Sequence, residues 1–212
     1  MGTLSILGLG LLLGLKHSFE PDHIIAVTNI VTESGEIKNA SKLGVCWGFG
    51  HTFTILLVSI ICMTFKLTIP ANYVPYLEAI VGLVLIYFGY LTIRNHKKFG
   101  HGHGQLPIGS YLTKHNIKGY KYSFAMGIVH GLSGSAAIIL LTMLTVKTMW
   151  ESILFILIFG IGTTISMAFS TTAISLPFIY SKETTLNSKL SIFVGSFSIL
   201  FGAYYISENL FL

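Results

Sequence analysis

The sequence predicts an all-α integral membrane protein, with six transmembrane helices arranged as two inverted three-helix repeats. Of its 212 residues, 52% are hydrophobic and 10% are charged, whereas about 25% of the residues in a soluble domain are charged. A helix needs about 20 apolar residues to cross a hydrocarbon core of about 30 Å. Stretches of this kind cover residues 3–31, 43–65, 73–93, 122–146, 150–177 and 188–210. Too little chain remains for a second domain, so we expect a single transmembrane domain over residues 1–212.

The two halves of the chain repeat one pattern at an offset of 112 or 113 residues. Helix 1 contains GLKHSFEPDHIIAV and helix 4 contains GIVHGLSGSAAIIL, while GFGHT in helix 2 corresponds to GIGTT in helix 5. A glycine spacing in helix 3 recurs in helix 6, at Gly82 and Gly89 and at Gly195 and Gly202. Each repeat, about 1–95 and about 122–212, holds three helices, so the second must enter the membrane with opposite polarity. Such inverted repeats are typical of secondary transporters.

Basic residues predict the orientation of the chain in the cell membrane. The connections after helices 1, 3 and 5 contain ten lysines and arginines: Lys38, Lys42, Arg94, Lys97, Lys98, Lys114, Lys118, Lys121, Lys182 and Lys189. The opposite connections contain only Lys66 and Lys147. Because basic loops stay in the cytoplasm, we expect loop 94–121 to be cytoplasmic and both termini to lie outside. The net charge of +5 comes without a nucleic-acid-binding motif, so the expected partner is the lipid bilayer.

Helix 1 contains an unusual concentration of polar residues. His17, Glu20, Pro21, Asp22 and His23 occur in a segment that otherwise reads as a membrane span. Ionisable groups at membrane depth are costly and therefore indicate a functional site. On a regular helix, with about 100° per residue, the two histidines and the aspartate would point in different directions. Proline removes a backbone donor and breaks or kinks a helix, so we expect the helix to unwind here and the side chains to converge.

The chemistry of this cluster predicts a site for a transition-metal dication. Imidazole and carboxylate ligands suit nickel, cobalt or zinc better than calcium or magnesium. The predicted ligands are His17, Asp22 and His23, with His51 of helix 2 at a matching depth. Supporting or pathway positions are predicted at Glu20, Pro21, His130, Ser133 and Ser135. Glu20 has two alternative partners, a ligand histidine or Lys16.

These motifs resemble the signature of the nickel/cobalt transporter superfamily. The text HSFEPDHIIAV, together with WGFGHT and GIVHGLSGSAAIIL, is similar to the shorter, six-helix, UreH-like branch. The resemblance implies a permease for Ni²⁺ or Co²⁺ that recognises its substrate through His17, Asp22, His23 and His51. The eight-helix members of the superfamily have additional helices that this chain lacks. On this reading the metal is the transported substrate, and no prosthetic group is expected.

Loop 94–121 contains the sequence GHGHG, in which His101 and His103 alternate with glycines. Histidine-rich tracts bind metal loosely, so this loop is a candidate auxiliary site that buffers or hands over the ion. The alternative is a solvated basic loop beside anionic lipid. A homo-oligomer or a separate metal-delivery protein would be the expected protein partner.

Two other function classes compete with a permease. A membrane thiol-electron carrier can be built from two three-helix repeats, but it needs a reactive cysteine in each half. Cys46 and Cys62 both lie on helix 2, about 24 Å apart along its axis, and the second half has no cysteine. An intramembrane metal-dependent enzyme would fit the ligand types. However, the HEXXH motif is absent, so we expect a protein that is not an enzyme.

Overall fold

The computed structural model describes residues 3–31, 37–67, 69–95, 116–145, 148–180 and 184–211, and the statements below concern these residues. Within them the secondary structure is helical, with a short 3₁₀ turn at Ala71–Tyr73 and no strand. The helices are α1 (Thr3–His17), α2 (Pro21–Val31), α3 (Ile37–Phe65), α4 (Val74–Asn95), α5 (Asn116–Thr145), α6 (Met149–Tyr180) and α7 (Thr184–Phe211).

Four helices are long and apolar enough to cross a membrane: α3, α4, α6 and α7. Their exposed side chains include large apolar groups such as Leu83, Phe193 and Leu200, which suit contact with lipid. These findings support an all-α membrane protein. Some helices extend beyond the predicted apolar stretches; α3, for example, begins at Ile37 rather than at residue 43. Hydropathy marks only the segment that suits hydrocarbon, whereas backbone hydrogen bonds continue through the polar first turns.

The predicted first span is interrupted, and the prediction of a break at Pro21 is confirmed. Helix α1 ends at His17, and Pro21 is the first residue of α2. The backbone amides of Phe19 and Glu20 bond to the carbonyls of Lys16 and His17, both at 3.0 Å. Each of these bonds spans three residues instead of the four of an α-helix, which is how the last turn of a helix commonly ends. Proline clashes with the carbonyl four residues earlier, here that of His17, which explains where α1 ends.

Hydroxyl groups of α6 compensate for the interruption. The Ser166 hydroxyl donates to the Leu15 carbonyl at 3.0 Å, and the Thr163 hydroxyl donates to the Gly14 carbonyl at 3.3 Å. In return, the Ser18 hydroxyl donates to the Thr163 carbonyl at 3.0 Å. Carbonyls at the end of a helix lack intrahelical partners, and leaving them unpaired is costly away from water. The α6 hydroxyls therefore allow α1 to end inside the protein.

Glycines bring the long helices into backbone contact, and these contacts occur in matched pairs. A Cβ on Gly14 would meet the backbone of Phe159, and a Cβ on Gly127 would meet the backbone of Trp47. Two more pairs of backbone contacts match in this way: Gly50 on Phe124 with Gly162 on Leu11, and Gly82 on Gly202 with Gly195 on Gly89. The last pair shows that these small residues join α4 to α7 within one chain.

Helix α2 is tied to α4 and α7 by a buried polar network. The Asn29 amide nitrogen donates to the Ser198 hydroxyl at 3.0 Å, and the Thr92 hydroxyl donates to the Asn29 side-chain oxygen at 2.9 Å. The Ser198 hydroxyl donates to the Leu85 carbonyl at 2.8 Å. Because each buried polar group has partners, the network fixes the position of α2 without an unpaired group.

Two hydrophobic clusters stabilise opposite ends of the helix assembly. One joins α2 to neighbouring helices, with Val27, Val31, Trp47 and Leu85 among its buried members. The other joins α1, α3 and α6 around Ile6, Ile55, Phe155 and Phe159. The cysteines of α3 are free thiols: Cys62 is buried and Cys46 is half-buried. Their separation of about 24 Å along the helix is far too large for a disulfide between them.

Candidate metal site

Three imidazole rings meet at the break in the first span. His17 is the last residue of α1, His23 lies in the first turn of α2, and His51 is the central residue of α3, fourteen residues from either end. All three are buried. One ligand nitrogen from each ring lies within 4.8 Å of the other two. We call His17, His23 and His51 the histidine cluster.

The closest approach within the histidine cluster joins the Nε2 atoms of His17 and His51, which are 3.1 Å apart. The ring centroids of His17 and His23 are 4.7 Å apart, and those of His23 and His51 are 5.4 Å apart. Two nitrogens bound to one ion at about 2.0–2.1 Å lie roughly 2.9–3.4 Å apart when their angle is between square and tetrahedral. The His17–His51 spacing therefore suits two ligands of one ion.

Carboxylates contact the opposite nitrogens of two of these rings. Glu20 Oε2 is 2.9 Å from His17 Nδ1, and Asp22 Oδ2 is 3.2 Å from His23 Nδ1. The second approach is within ion-pair distance but lacks hydrogen-bond geometry, since His23 Nδ1 has no hydrogen-bond partner. A carboxylate on Nδ1 holds the proton there and leaves the Nε2 lone pair for a metal. Of the two partners that the sequence allowed for Glu20, the structure places His17 in contact with it.

Asp22 belongs to a second group of donors rather than to the histidine cluster. Glu20, Asp22 and His23 each offer a ligand atom within 4.8 Å of the others. Their exposure falls steeply: the Glu20 side chain is 49% exposed, that of Asp22 14% and that of His23 2%. The two groups share His23. They therefore form a continuous series of donors that runs from exposed carboxylates to buried imidazoles.

Aromatic side chains enclose the histidine cluster. The Phe159 ring lies 5.5 Å from the His17 ring and 6.3 Å from the His51 ring, while the Trp47 ring lies 6.4 Å from the His23 ring. Trp47 and Phe159 belong to the two different hydrophobic clusters and are almost fully buried. An ion at the histidines would therefore be separated from water on both sides by apolar rings, where each charge interaction is strengthened.

The ends of the interrupted helices add to the electrostatics of the site. Helix α1 ends at His17, and the end of a helix carries a partial negative charge of about half an electron, which favours a cation. Helix α2 begins at Pro21, and its partial positive charge opposes a cation. Asp22, in the first turn of α2, offsets that opposition. The net effect of the break is therefore a cation-attracting environment.

Comparison with known proteins identifies the family. The NicO family model, described as a high-affinity nickel-transport protein, matches residues 3–93. The urease accessory protein UreH of Bacillus sp. (strain TB-90) is 41% identical to this chain and is aligned over 98% of this chain and 95% of its own length. This chain belongs to the NicO family. The NicO family is a family of nickel-transport proteins rather than of enzymes, and nickel is their transported substrate rather than a prosthetic group.

Other relatives have names that concern the same metals. A protein of Methanocaldococcus jannaschii, provisionally named a nickel/cobalt efflux system, is 26% identical over 93% of the NicO chain and 90% of its own length. The high-affinity nickel-transport protein NixA of Helicobacter pylori is 36% identical over 34% of the NicO chain and 22% of its own length. No solved structure matches the chain.

The structure accounts for most of the residues that the sequence singled out in this NicO chain. It brings His17, His23 and His51 together, places Glu20 and Asp22 beside them, and puts Pro21 at the start of α2. His130 is buried with its ring 5.2 Å from that of His23, and Ser133 is buried on the same helix. The side chain of Ser135, together with His101 and His103, lies outside the described residues.

Sequence reasoning missed the residues that surround the histidines. Trp47 and Phe159 enclose the rings, and Thr163 and Ser166 satisfy the end of α1. A signal for the two aromatic residues was present, because they correspond to each other at the 112-residue offset of the repeat. Thr163 had the same signal, because it corresponds to His51 at that offset. Its role in supporting α1, like that of Ser166, had no signal, since serine and threonine are ordinary residues in helices of this kind.

Proposed function

We propose that this NicO protein moves Ni²⁺, and also Co²⁺, across the cell membrane by way of the histidine cluster. The observation that carries the proposal is the convergence of His17, His23 and His51 from three separate helices to within 4.8 Å. His17 and His51 are hydrogen-bonded to each other, but both nitrogens of the buried His23 ring are without a hydrogen-bond partner, which a bound ion would remedy. As neutral donors the three imidazoles suit a borderline dication.

The carboxylates give the ion a route into the cluster. A hydrated dication meets oxygen ligands first, at Glu20 and Asp22, which are more exposed than the histidines. It then exchanges oxygen for nitrogen at His23, which belongs to both groups of donors. Two carboxylates beside a dication make a neutral assembly, which reduces the cost of burying the charge.

We propose that the chain has six spans in one transmembrane domain over residues 1–212. Helix α1 has 15 residues, about 22 Å, and is too short to cross a core of about 30 Å by itself. With α2 it makes one interrupted span. Helix α5, with 30 residues, is long enough to be the sixth beside α3, α4, α6 and α7.

The matched glycine contacts support an inverted repeat, with repeat 1 over about 1–95 and repeat 2 over about 122–212. At the offset of 112 or 113 residues, Gly14 corresponds to Gly127 and Phe159 corresponds to Trp47. The Gly14–Phe159 contact therefore has an equivalent in the Gly127–Trp47 contact. The helix pairs α1–α6 and α3–α5 exchange in the same way, while α3–α6 and α4–α7 are unchanged. In transporters of this design the substrate site lies near the midplane, and the repeats rock about it. His51 at the centre of α3 fits that position.

We propose the cell membrane as the location, with both termini outside and loop 94–121 in the cytoplasm. The support is the excess of basic residues on that side, ten against two. His101 and His103 would then meet the ion only on the cytoplasmic side, in an auxiliary role.

The test is radioactive nickel flux into liposomes that contain the purified full-length protein, combined with equilibrium nickel binding in detergent. We expect His17→Ala, His23→Ala and His51→Ala each to weaken binding about tenfold or more, because each removes one ligand from a buried ion. Flux should fall with binding. A triple variant that still moves nickel at the wild-type rate would refute the proposal.

A matched control is the Cys46→Ser, Cys62→Ser double variant, which changes the same helix as His51 but leaves the histidines intact. We expect wild-type nickel binding and flux. Intact function without the cysteines would remove the thiol-electron carrier as an alternative.

A further inference from the structure

A fourth buried histidine, His130, lies beside the histidine cluster but is not part of it. It is the fifteenth residue of α5, which has 30 residues, and is therefore at the middle of that helix, as His51 is in α3. Its ring lies 5.2 Å from the His23 ring, on the side where the Trp47 ring is 4.9 Å away. His130 is 1% exposed.

Hydrogen bonding fixes the proton of His130 on one nitrogen. Nδ1 lies 3.2 Å from the Met126 carbonyl oxygen. A carbonyl only accepts hydrogen bonds, so Nδ1 must carry the proton. In a neutral imidazole the other nitrogen, Nε2, then carries a lone pair. Among the described residues Nε2 is buried and has no hydrogen-bond partner.

An unpartnered acceptor in this position calls for an explanation, because buried polar atoms are nearly always hydrogen-bonded. Two polar side chains lie beside it, His23 and Trp47, and their ring nitrogens also have no hydrogen-bond partner. The Trp47 nitrogen is only a donor, so it cannot bind a cation, whereas His23 can. Two adjacent imidazoles with free lone pairs, at the edge of the histidine cluster, have the chemistry of a pair of ligands for a transition metal.

We propose that His130 and His23 form a second metal station, next to the one formed by the histidine cluster. This inference rests on the proposed function. His23 is common to both stations, so an ion passes between them by exchanging His17 and His51 for His130 while His23 stays bound. Because His130 belongs to repeat 2 and the histidine cluster to repeat 1, the exchange moves the ion from a site in one half of the protein to a site shared by both halves.

The second station makes a prediction that a packing role for His130 does not make. The variant His130→Asn keeps a donor near the position of Nδ1, for the Met126 carbonyl, but has no atom at the position of Nε2. We expect its maximal nickel flux to fall about tenfold, the loss typical of weakening one metal ligand. Its equilibrium nickel Kd should stay at the wild-type value, since the histidine cluster is intact.

Nickel flux in liposomes, equilibrium nickel binding and the unfolding temperature are measured together on the full chain. Ser123→Ala is the control on α5, because Ser123 donates to the Leu43 carbonyl at 2.6 Å and is not a metal ligand. The control should keep its flux. Wild-type flux in His130→Asn would overturn the second station, as would a Kd weakened in proportion to the flux, which would place His130 in the first station.

If His130→Asn does not fold, His130→Gln answers the same question, because its side-chain oxygen takes the place of Nε2. An oxygen ligand should shift transport from Ni²⁺ towards Mn²⁺, and an unchanged preference would overturn the proposal. Nickel binding and flux of the wild-type protein distinguish a failure of the proposed function from a failure of the second station. If it neither binds nor moves nickel, the proposed function fails; if it does both and His130→Asn matches it, only the second station fails.

Discussion

At the scale of single residues, the site pairs each histidine of the first span with a carboxylate from the same short segment. Glu20 contacts His17 across the break, and Asp22 contacts its neighbour His23. Both contacts use Nδ1, so both rings can present Nε2 to an ion. Glu20 can thus orient the His17 ring, and both carboxylates supply the negative charge that a buried dication requires.

Glu20→Ala tests this orienting role. We expect nickel affinity to fall about tenfold, the lower end of the range for removing a partner of a metal-binding histidine. Glu20→Gln should recover part of the affinity, because its amide oxygen can still accept from His17 Nδ1. Titration calorimetry on the detergent-purified proteins measures the nickel affinity of both variants. Glu208→Ala, which removes an exposed carboxylate on α7, is the control, and equal losses in Glu208→Ala and Glu20→Ala would contradict an orienting role.

At the scale of helices, the interruption of the first span is what allows His17 and His23 to meet. The sequence predicted the interruption, because Pro21 and the ionisable residues around it are local signals. The positions of His51, Trp47 and Phe159 at the site could be expected only in part. Backbone contacts such as that of Gly14 with Phe159 determine which faces of distant helices meet. Hydropathy does not predict such contacts. Glu20 likewise had two possible partners until the geometry of the turn was known.

Pro21→Ala tests the importance of the break. Alanine restores the missing backbone donor and is the best helix former, so α1 gains the means to continue through residues 18–20. A continuous helix would rotate His23 away from His17, by about 240°. We expect weaker nickel binding with the helical content preserved, measured by calorimetry and circular dichroism.

The matched control is Pro177→Ala, because Pro177 lies inside α6 near its end without interrupting it. This change should leave nickel affinity unaltered. Wild-type affinity in Pro21→Ala would mean that the turn is held by its other contacts, such as the Ser18 hydrogen bond to Thr163.

At the scale of the whole molecule, the two halves contact each other through equivalent glycines. Gly14 and Gly127 each leave room for the backbone of a helix from the other half. The sequence comparison paired these two glycines, although it could not say what each glycine touches. The halves differ in chemistry at the same time, since the position that corresponds to His51 is Thr163, whose hydroxyl supports α1. One half therefore supplies most of the donors, and the other supplies structural support.

Gly14→Ala and Gly127→Ala should destabilise the protein by similar amounts, about 1–3 kcal/mol each, because the added methyl group forces packed helices apart. Thermal unfolding in detergent measures the effect. Gly8→Ala is the control: nothing lies within 4 Å of a Cβ at Gly8, and alanine in a helix is about 0.5–1 kcal/mol more favourable than glycine. Unequal losses of stability in Gly14→Ala and Gly127→Ala would contradict the equivalence of the two glycine contacts.

The Asn29 network gives the interrupted span a mechanical consequence. Helix α1 packs along α6, and α2, which also contacts α6, is hydrogen-bonded through Asn29 to Thr92 of α4 and Ser198 of α7. An ion held by His17 and His23 together therefore adds a link between α1 and the helices bonded to α2, and its departure removes that link. Occupancy and helix arrangement must then be thermodynamically linked. Any rearrangement that weakens ion binding is resisted by the bound ion with the same free energy.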